Sequence, residues 1–174
     1  VAWGKEVVTH EAKPGAIPDK GGQEATLTYV EDGDGAKFKT KNGTALACRI
    51  AGIDAPETDH SKYGKRGAQP YSAESKQTLK DLLAKGEIRV TVVKGPTEKN
   101  FGRNLCKVTV SGKNVTRSML EAGAAMLWEI GQDANTDQGD RAAQLKAAEN
   151  GTGLWGLPDP KTPTWWKHSP IPRQ

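Results

Sequence analysis

Apolar residues recur along this chain in two rhythms, and the changes between them mark out its elements. From residue 25 the period is two. Residues 25–31 (ATLTYVE) read as a strand, Asp32-Gly33-Asp34-Gly35 as a tight turn, and 36–40 as a second strand. Asn42-Gly43 separates that strand from a third at 44–50, a strong hairpin signal. A loop over 52–67 follows, and the period then changes. Residues 72–84 (SAESKQTLKDLLA) fit a helix with Ser72 as N-cap, Leu79, Leu82 and Leu83 on one face, and Gly86 as the stop.

Alternation returns at 87–94, with Ile88, Val90 and Val92 inward, and at 104–110, with Cys106, Val108 and Val110 inward. Two further helices are predicted at 115–122 and 138–149, ended by Gly123 and Gly151. Residues 1–24 show little periodic pattern and read as an extended arm. Residues 25–157 form the folded domain, and the Pro- and Trp-rich residues 158–174 form a tail lying over its surface. Five short strands with about three helices between and after them point to an α+β fold around a five-stranded Greek-key barrel, the OB-fold.

Composition narrows the function classes. The chain has 174 residues, enough to bury a real core, and nothing in it approaches the ~20 apolar residues of a spanning helix. Lys plus Arg exceed Asp plus Glu by 25 − 21 = 4, a balance that favours polyanionic partners. Cys48 and Cys106 are too few for a disulfide scaffold or a four-thiolate zinc site. Alternation puts both on core faces. They are either two small buried thiols, the simpler reading, or a disulfide joining the third and fifth strands; Cα separation decides.

Carboxylates cluster in two loops. Asp32 and Asp34 flank Gly33, and Asp54 and Glu57 lie in GIDAPET after the third strand. A hard cation such as Ca²⁺ takes about six to eight oxygen ligands, which such loops supply. The pattern is not an EF-hand, because Gly43 stands where the closing Glu belongs. Taken alone, the turn carboxylates read as solvated.

Two arginines border these loops. Arg49 ends the third strand, on the face opposite Cys48 and Ile50, and Arg103 leads into the fifth. Arg is suited to bidentate contact with phosphate oxygens, although most surface Arg residues make none. Together, a metal held by carboxylates, two guanidinium groups and a nearby Glu are the parts needed for in-line phosphodiester hydrolysis.

The segments VEDGDG (30–35), RIAGIDAPE (49–57), FGRNL (101–105), MLEAGAA (119–125) and GLW (153–155) resemble, in order and spacing, the signature of the staphylococcal nuclease-like family, in its bacterial single-domain branch. The resemblance covers roughly residues 25 to 157. It implies an OB-fold nuclease that uses Ca²⁺ and hydrolyses DNA and RNA at the P–O5′ bond, leaving 3′-phosphate ends. By position, Asp34 and Asp54 match the metal carboxylates, and Ala55 matches the residue that gives its backbone carbonyl to the metal. Glu57 matches the general base, and Arg49 and Arg103 match the two phosphate-binding arginines. Phe101 stands where some members carry a substrate-contacting Tyr, and Gly35 where a Thr is usual. The family's second substrate-binding Tyr has no equivalent, although Trp128 and Glu129 lie in its neighbourhood.

Lys62, Lys65 and Arg66 follow the acidic loop, and Lys65 and Arg66 are expected to border a nucleic-acid groove, although a solvated loop fits equally. His10, His60 and His168 lack metal-ligand spacing and read as surface residues. Trp155, Trp165 and Trp166 are expected to pin the tail rather than stack bases. A monomer without an obligate protein partner suffices. The chain begins at Val1, so a processed, secreted or periplasmic protein is expected, with a cytoplasmic location as the alternative. The rival function is an OB-fold nucleic-acid-binding module without catalysis; low aromatic content and the acidic set both count against it.

Overall fold

The computed structural model describes residues 22–98, 101–128 and 137–170. The expected arm lies almost wholly outside the described residues, as do His10 and Glu129. Among the described residues eight strands are formed: β1 (Gln23–Asp32), β2 (Gly35–Thr40), β3 (Ala45–Ile50), β4 (Ile53–Asp54), β5 (Ile88–Lys94), β6 (Asn104–Val110), β7 (Lys113–Asn114) and β8 (Met126–Leu127). Four helices accompany them: α1 (Ser72–Leu83), α2 (Val115–Glu121), α3 (Gln138–Glu149) and α4 (Pro163–His168).

The sheet runs β3-β2-β1-β5-β6-β7, and β3 also pairs with β6, in parallel. That pairing closes β1, β2, β3, β5 and β6 into the predicted five-stranded barrel and leaves no open edge at the seam. The interior is filled by the inward residues of each strand, among them Val30, Phe38, Ile50, Val90 and Val108, and is capped by Leu79 of α1 and Met119 and Leu120 of α2. Each follows from strand or helix periodicity.

Cys48 and Cys106 face each other across the β3–β6 seam with Cα atoms 5.7 Å apart and are disulfide-bonded. The simpler reading, two separate thiols, is thus corrected. Alternation placed both side chains inward, but only barrel closure brings β3 beside β6. Two smaller expectations are also corrected. Tyr71, in the left-handed region at φ 76°, is the N-cap of α1, and Ser72 is its first helical residue. Val92 is exposed, because a register shift between Val92 and Lys94 turns the end of β5 away from the core. The tail also carries a helix that periodicity did not indicate: residues 163–168 form α4, with Pro163 at its first turn and the Thr162 hydroxyl accepting from the Trp165 N–H.

Candidate active site

One end of the barrel collects the charged residues. The β1–β2 turn delivers Asp34, β3 delivers Arg49, and the short ribbon β4–β8 fixes the loop beyond Asp54 by pairing Asp54 with Met126. Gly33 lets the turn press against α1. A Cβ there would overlap the Ser75 hydroxyl and come within 2.7 Å of the Ala55 side chain. That close approach lets Asp34 Oδ2 accept the Ala55 N–H at 2.8 Å, tying the two acidic loops together.

Arg49 lies between the two aspartates. Its Nη2 is 3.5 Å from Asp54 Oδ1 and 4.0 Å from Asp34 Oδ2, and Nη1 donates to the Ile53 carbonyl at 2.9 Å. Its guanidinium carbon stands 4.8 Å from the centre of the Trp128 ring. Arg49 does leave the strand on the face away from the core, as alternation requires, but the 53–57 loop and Trp128 roof it over, leaving it 7% exposed.

Arg103 reaches the same turn from the open side. Its Nη1 is 3.9 Å from Glu31 Oε2, and a Cβ on Gly35 would come within 3.2 Å of it. Gly35, where the resemblance leads one to expect Thr, therefore leaves room for Arg103 beside Asp32 and Glu31.

The electrostatics of the acidic side are strained. Burial, then the charge of Asp34, pushes the Asp32 carboxyl up to about 8. Burial and Asp34 likewise push Asp54 up to about 7, with Lys167 and Arg49 pulling the other way. Asp54 Oδ1 is buried and accepts no hydrogen bond among the described residues; Arg49 Nη2, 3.5 Å away, meets it as an ion pair, and a buried oxygen so placed can take a further cation. Among the described residues no three acidic, His or Cys side chains converge as a ready-made metal cage. Two carboxylates sharing one guanidinium, with the Ala55 carbonyl nearby in sequence, nevertheless suit a hard cation that keeps several waters.

Glu57 is held on all sides. Its N–H donates to Gln69 Oε1 at 3.0 Å, and its carbonyl accepts the Gln69 N–H at 2.8 Å. Its carboxylate lies 3.0 Å from Lys167 Nζ through Oε1 and 3.6 Å from His60 Nε2 through Oε2. Burial works against the Lys167 ammonium, but Glu57, and after it Asp54, hold its pKa above the usual lysine value.

The remaining expected site residues stand apart from this cluster. Phe101, at φ 55°, projects into solvent at 85% exposure. Lys65 is exposed in the loop. The Arg66 guanidinium lies 4.0 Å from the Trp166 ring centre and 5.6 Å from that of Trp165, so it is taken up by the tail rather than left open to a groove. Sequence reasoning missed Gln69 and Lys167. Neither lies in a recognisable motif, and the tail's path is set only by tertiary packing.

The sequence model of the staphylococcal nuclease homologue family matches residues 47–156, well over half of the chain. An uncharacterized endonuclease of Haemophilus influenzae is 30% identical over 141 residues, which cover 81% of this chain and 71% of that protein. An SPbeta prophage-derived endonuclease of Bacillus subtilis is 34% identical over 59% of this chain and 33% of its own length. A probable endonuclease of Pyricularia oryzae is 32% identical over 68% of this chain, which spans 46% of that protein. With the closed barrel and the charged cluster at its rim, these matches establish that the chain belongs to the staphylococcal nuclease homologue family.

Proposed function

We propose that this protein is a Ca²⁺-dependent nuclease that hydrolyses phosphodiester bonds of DNA and RNA and leaves 3′-phosphate ends. The observation that carries the reading is the buried Asp34–Arg49–Asp54 cluster, in which Asp54 Oδ1 accepts no hydrogen bond, set beside Glu57 and Arg103. A binding module has no use for it, since two carboxylates sharing one guanidinium leave excess negative charge that repels phosphate. Relatives bearing the name endonuclease support the same reading.

Asp34, Asp54 and the Ala55 carbonyl would hold the cation, which when bound supplies Lewis-acid neutralisation of phosphate charge. Glu57 orients a water and takes its proton as the water oxygen attacks phosphorus in line with the departing O5′. The P–O5′ bond breaks, and O5′ leaves with a proton from solvent. Arg49 and Arg103 donate to the non-bridging oxygens, whose charge grows in the transition state. Arg49 needs little reorganisation to do so, because Ile53 and Trp128 already fix it.

The protein acts as a monomer in a secreted or periplasmic setting; the Cys48–Cys106 disulfide supports an oxidising compartment. Among the described residues no helix is long and apolar enough to cross a membrane. The test is degradation of plasmid and single-stranded DNA and of RNA with Ca²⁺, with Mg²⁺ and with chelator, followed by end-group analysis. Ca²⁺-dependent loss of substrate with 3′-phosphate ends is expected. Salt-sensitive binding without cleavage under every metal would select the non-catalytic module instead.

A further inference from the structure

Residues beyond the family match at 47–156 take part in the site. The segment carrying α4 is fastened to the barrel by contacts that do not involve Glu57's carboxylate. Gln69 Nε2 donates to the Lys161 carbonyl at 2.8 Å, Trp166 Nε1 donates to the Gly67 carbonyl at 3.3 Å, and Arg66 lies over the Trp166 ring. The fold, not the ion pair, therefore decides where Lys167 stands. It stands 3.0 Å from Glu57 Oε1, and the Glu57 side chain is only 15% exposed. Arg49 is shared by Asp34 and Asp54, and Lys167 is the nearest cation to Glu57.

We propose that Lys167 is a positioning residue: α4 brings its ammonium onto one oxygen of the Glu57 carboxylate and thereby fixes the direction of the other. A glutamate has three side-chain torsions to restrain before its other oxygen, here Oε2 at 3.6 Å from His60 Nε2, can aim at a water, and misplacement of a reacting group is costly in rate. Gln69 holds the backbone half of the same residue and, through its other end, the tail. The tail and the candidate base are thereby one mechanical unit. Lys167 acts on kcat through Glu57, not on substrate binding.

This inference rests on the nuclease reading, and the experiment separates the two. Steady-state cleavage of single-stranded DNA in saturating Ca²⁺ is compared for wild type, Lys167→Arg, Lys167→Met, Glu57→Gln and the Lys167→Met/Glu57→Gln pair. Met keeps the aliphatic stem, and Lys167→Gln, assayed where its circular dichroism matches wild type, stands in if the Met variant is unstable. Removing the ammonium is expected to lower kcat about tenfold with KM within about threefold, and Arg to restore kcat to within about threefold. In the Glu57→Gln background the same removal is expected to cost less than about twofold, since groups that act through one another are not additive. A kcat unchanged or raised by Lys167→Met, a change in KM alone, or an equal loss in both backgrounds overturns the positioning role. A wild type that cuts nothing with any metal overturns the nuclease reading, and this inference with it.

Discussion

Arg49 and Arg103 lead to the same acidic turn from neighbouring strands, and their surroundings differ. Arg49 is sealed beneath the 53–57 loop and Trp128, touches two buried aspartates and donates to a backbone carbonyl. Arg103 lies at the rim, 3.9 Å from a half-buried glutamate, beside the exposed Phe101. A guanidinium that is roofed and hydrogen-bonded is both a structural and a chemical element, because removing it strands buried carboxylates. One at the rim contributes to chemistry without holding the fold. The difference teaches that two similar cations at one site need not share the same stability cost.

The largest expected effect breaks that comparison directly. Arg49→Ala and Arg103→Ala should each lower kcat/KM by about 10² to 10³, as removal of a transition-state donor does. Only Arg49→Ala should also destabilise the fold by about 3 kcal/mol, the cost of opening a buried ion pair, against less than about 1 kcal/mol for Arg103→Ala. Urea unfolding beside the kinetics checks both; equal stability losses would refute the distinction.

The next effect concerns the seam beneath Arg49. Cys48→Ala/Cys106→Ala removes a crosslink across a separation of 58 residues and should cost about 2–4 kcal/mol. It should also slow cleavage more through Arg49, which adjoins Cys48, than through the rim. Thermal melts, with and without reductant for the wild type, read the first part. An Arg49→Lys variant made in both backgrounds reads the second.

A smaller effect follows from pH. Folded Asp54 titrates near 7 and Asp32 near 8, both raised by burial from an ordinary 3.8. Between about pH 4 and pH 8 the folded chain therefore holds protons that the unfolded chain has shed. Without metal, stability should fall as pH rises through that window. Excess Ca²⁺ should remove the slope, because the cation replaces the protons on these carboxylates. Urea midpoints at several pH values, with chelator or Ca²⁺, decide it; a metal-free protein that gains stability toward pH 8 would contradict the assignment. The smallest effect sharpens the rim. Phe101→Ala should raise KM for single-stranded DNA by a few-fold, about 1 kcal/mol of stacking, and leave kcat and stability alone.

Much of the fold was legible because it rests on local periodicity. The alternation that places Cys48 and Ile50 inward, the Asn42-Gly43 hairpin and the leucines of α1 each follow from a few neighbouring residues. Val92 escaped because its orientation depends on a register shift opposite β6, and Tyr71 because a tyrosine in the left-handed region has no propensity signature. Asp34, Arg49, Asp54, Glu57 and Arg103 were singled out through ordered motifs, and the fold brings them to one end of the barrel.

The amino-acid sequence by itself determined the five barrel strands and three of the helices, which of their faces are apolar, and which charged residues flank the turn and loop. Those properties depend on residues close along the chain, where backbone geometry alone sets what faces what. Only the tertiary structure decided the disulfide, the roof over Arg49 and the meeting of Glu57 with Lys167. Each joins residues far apart in the chain, and barrel closure and the docking of α4 set their separations, which no local pattern encodes.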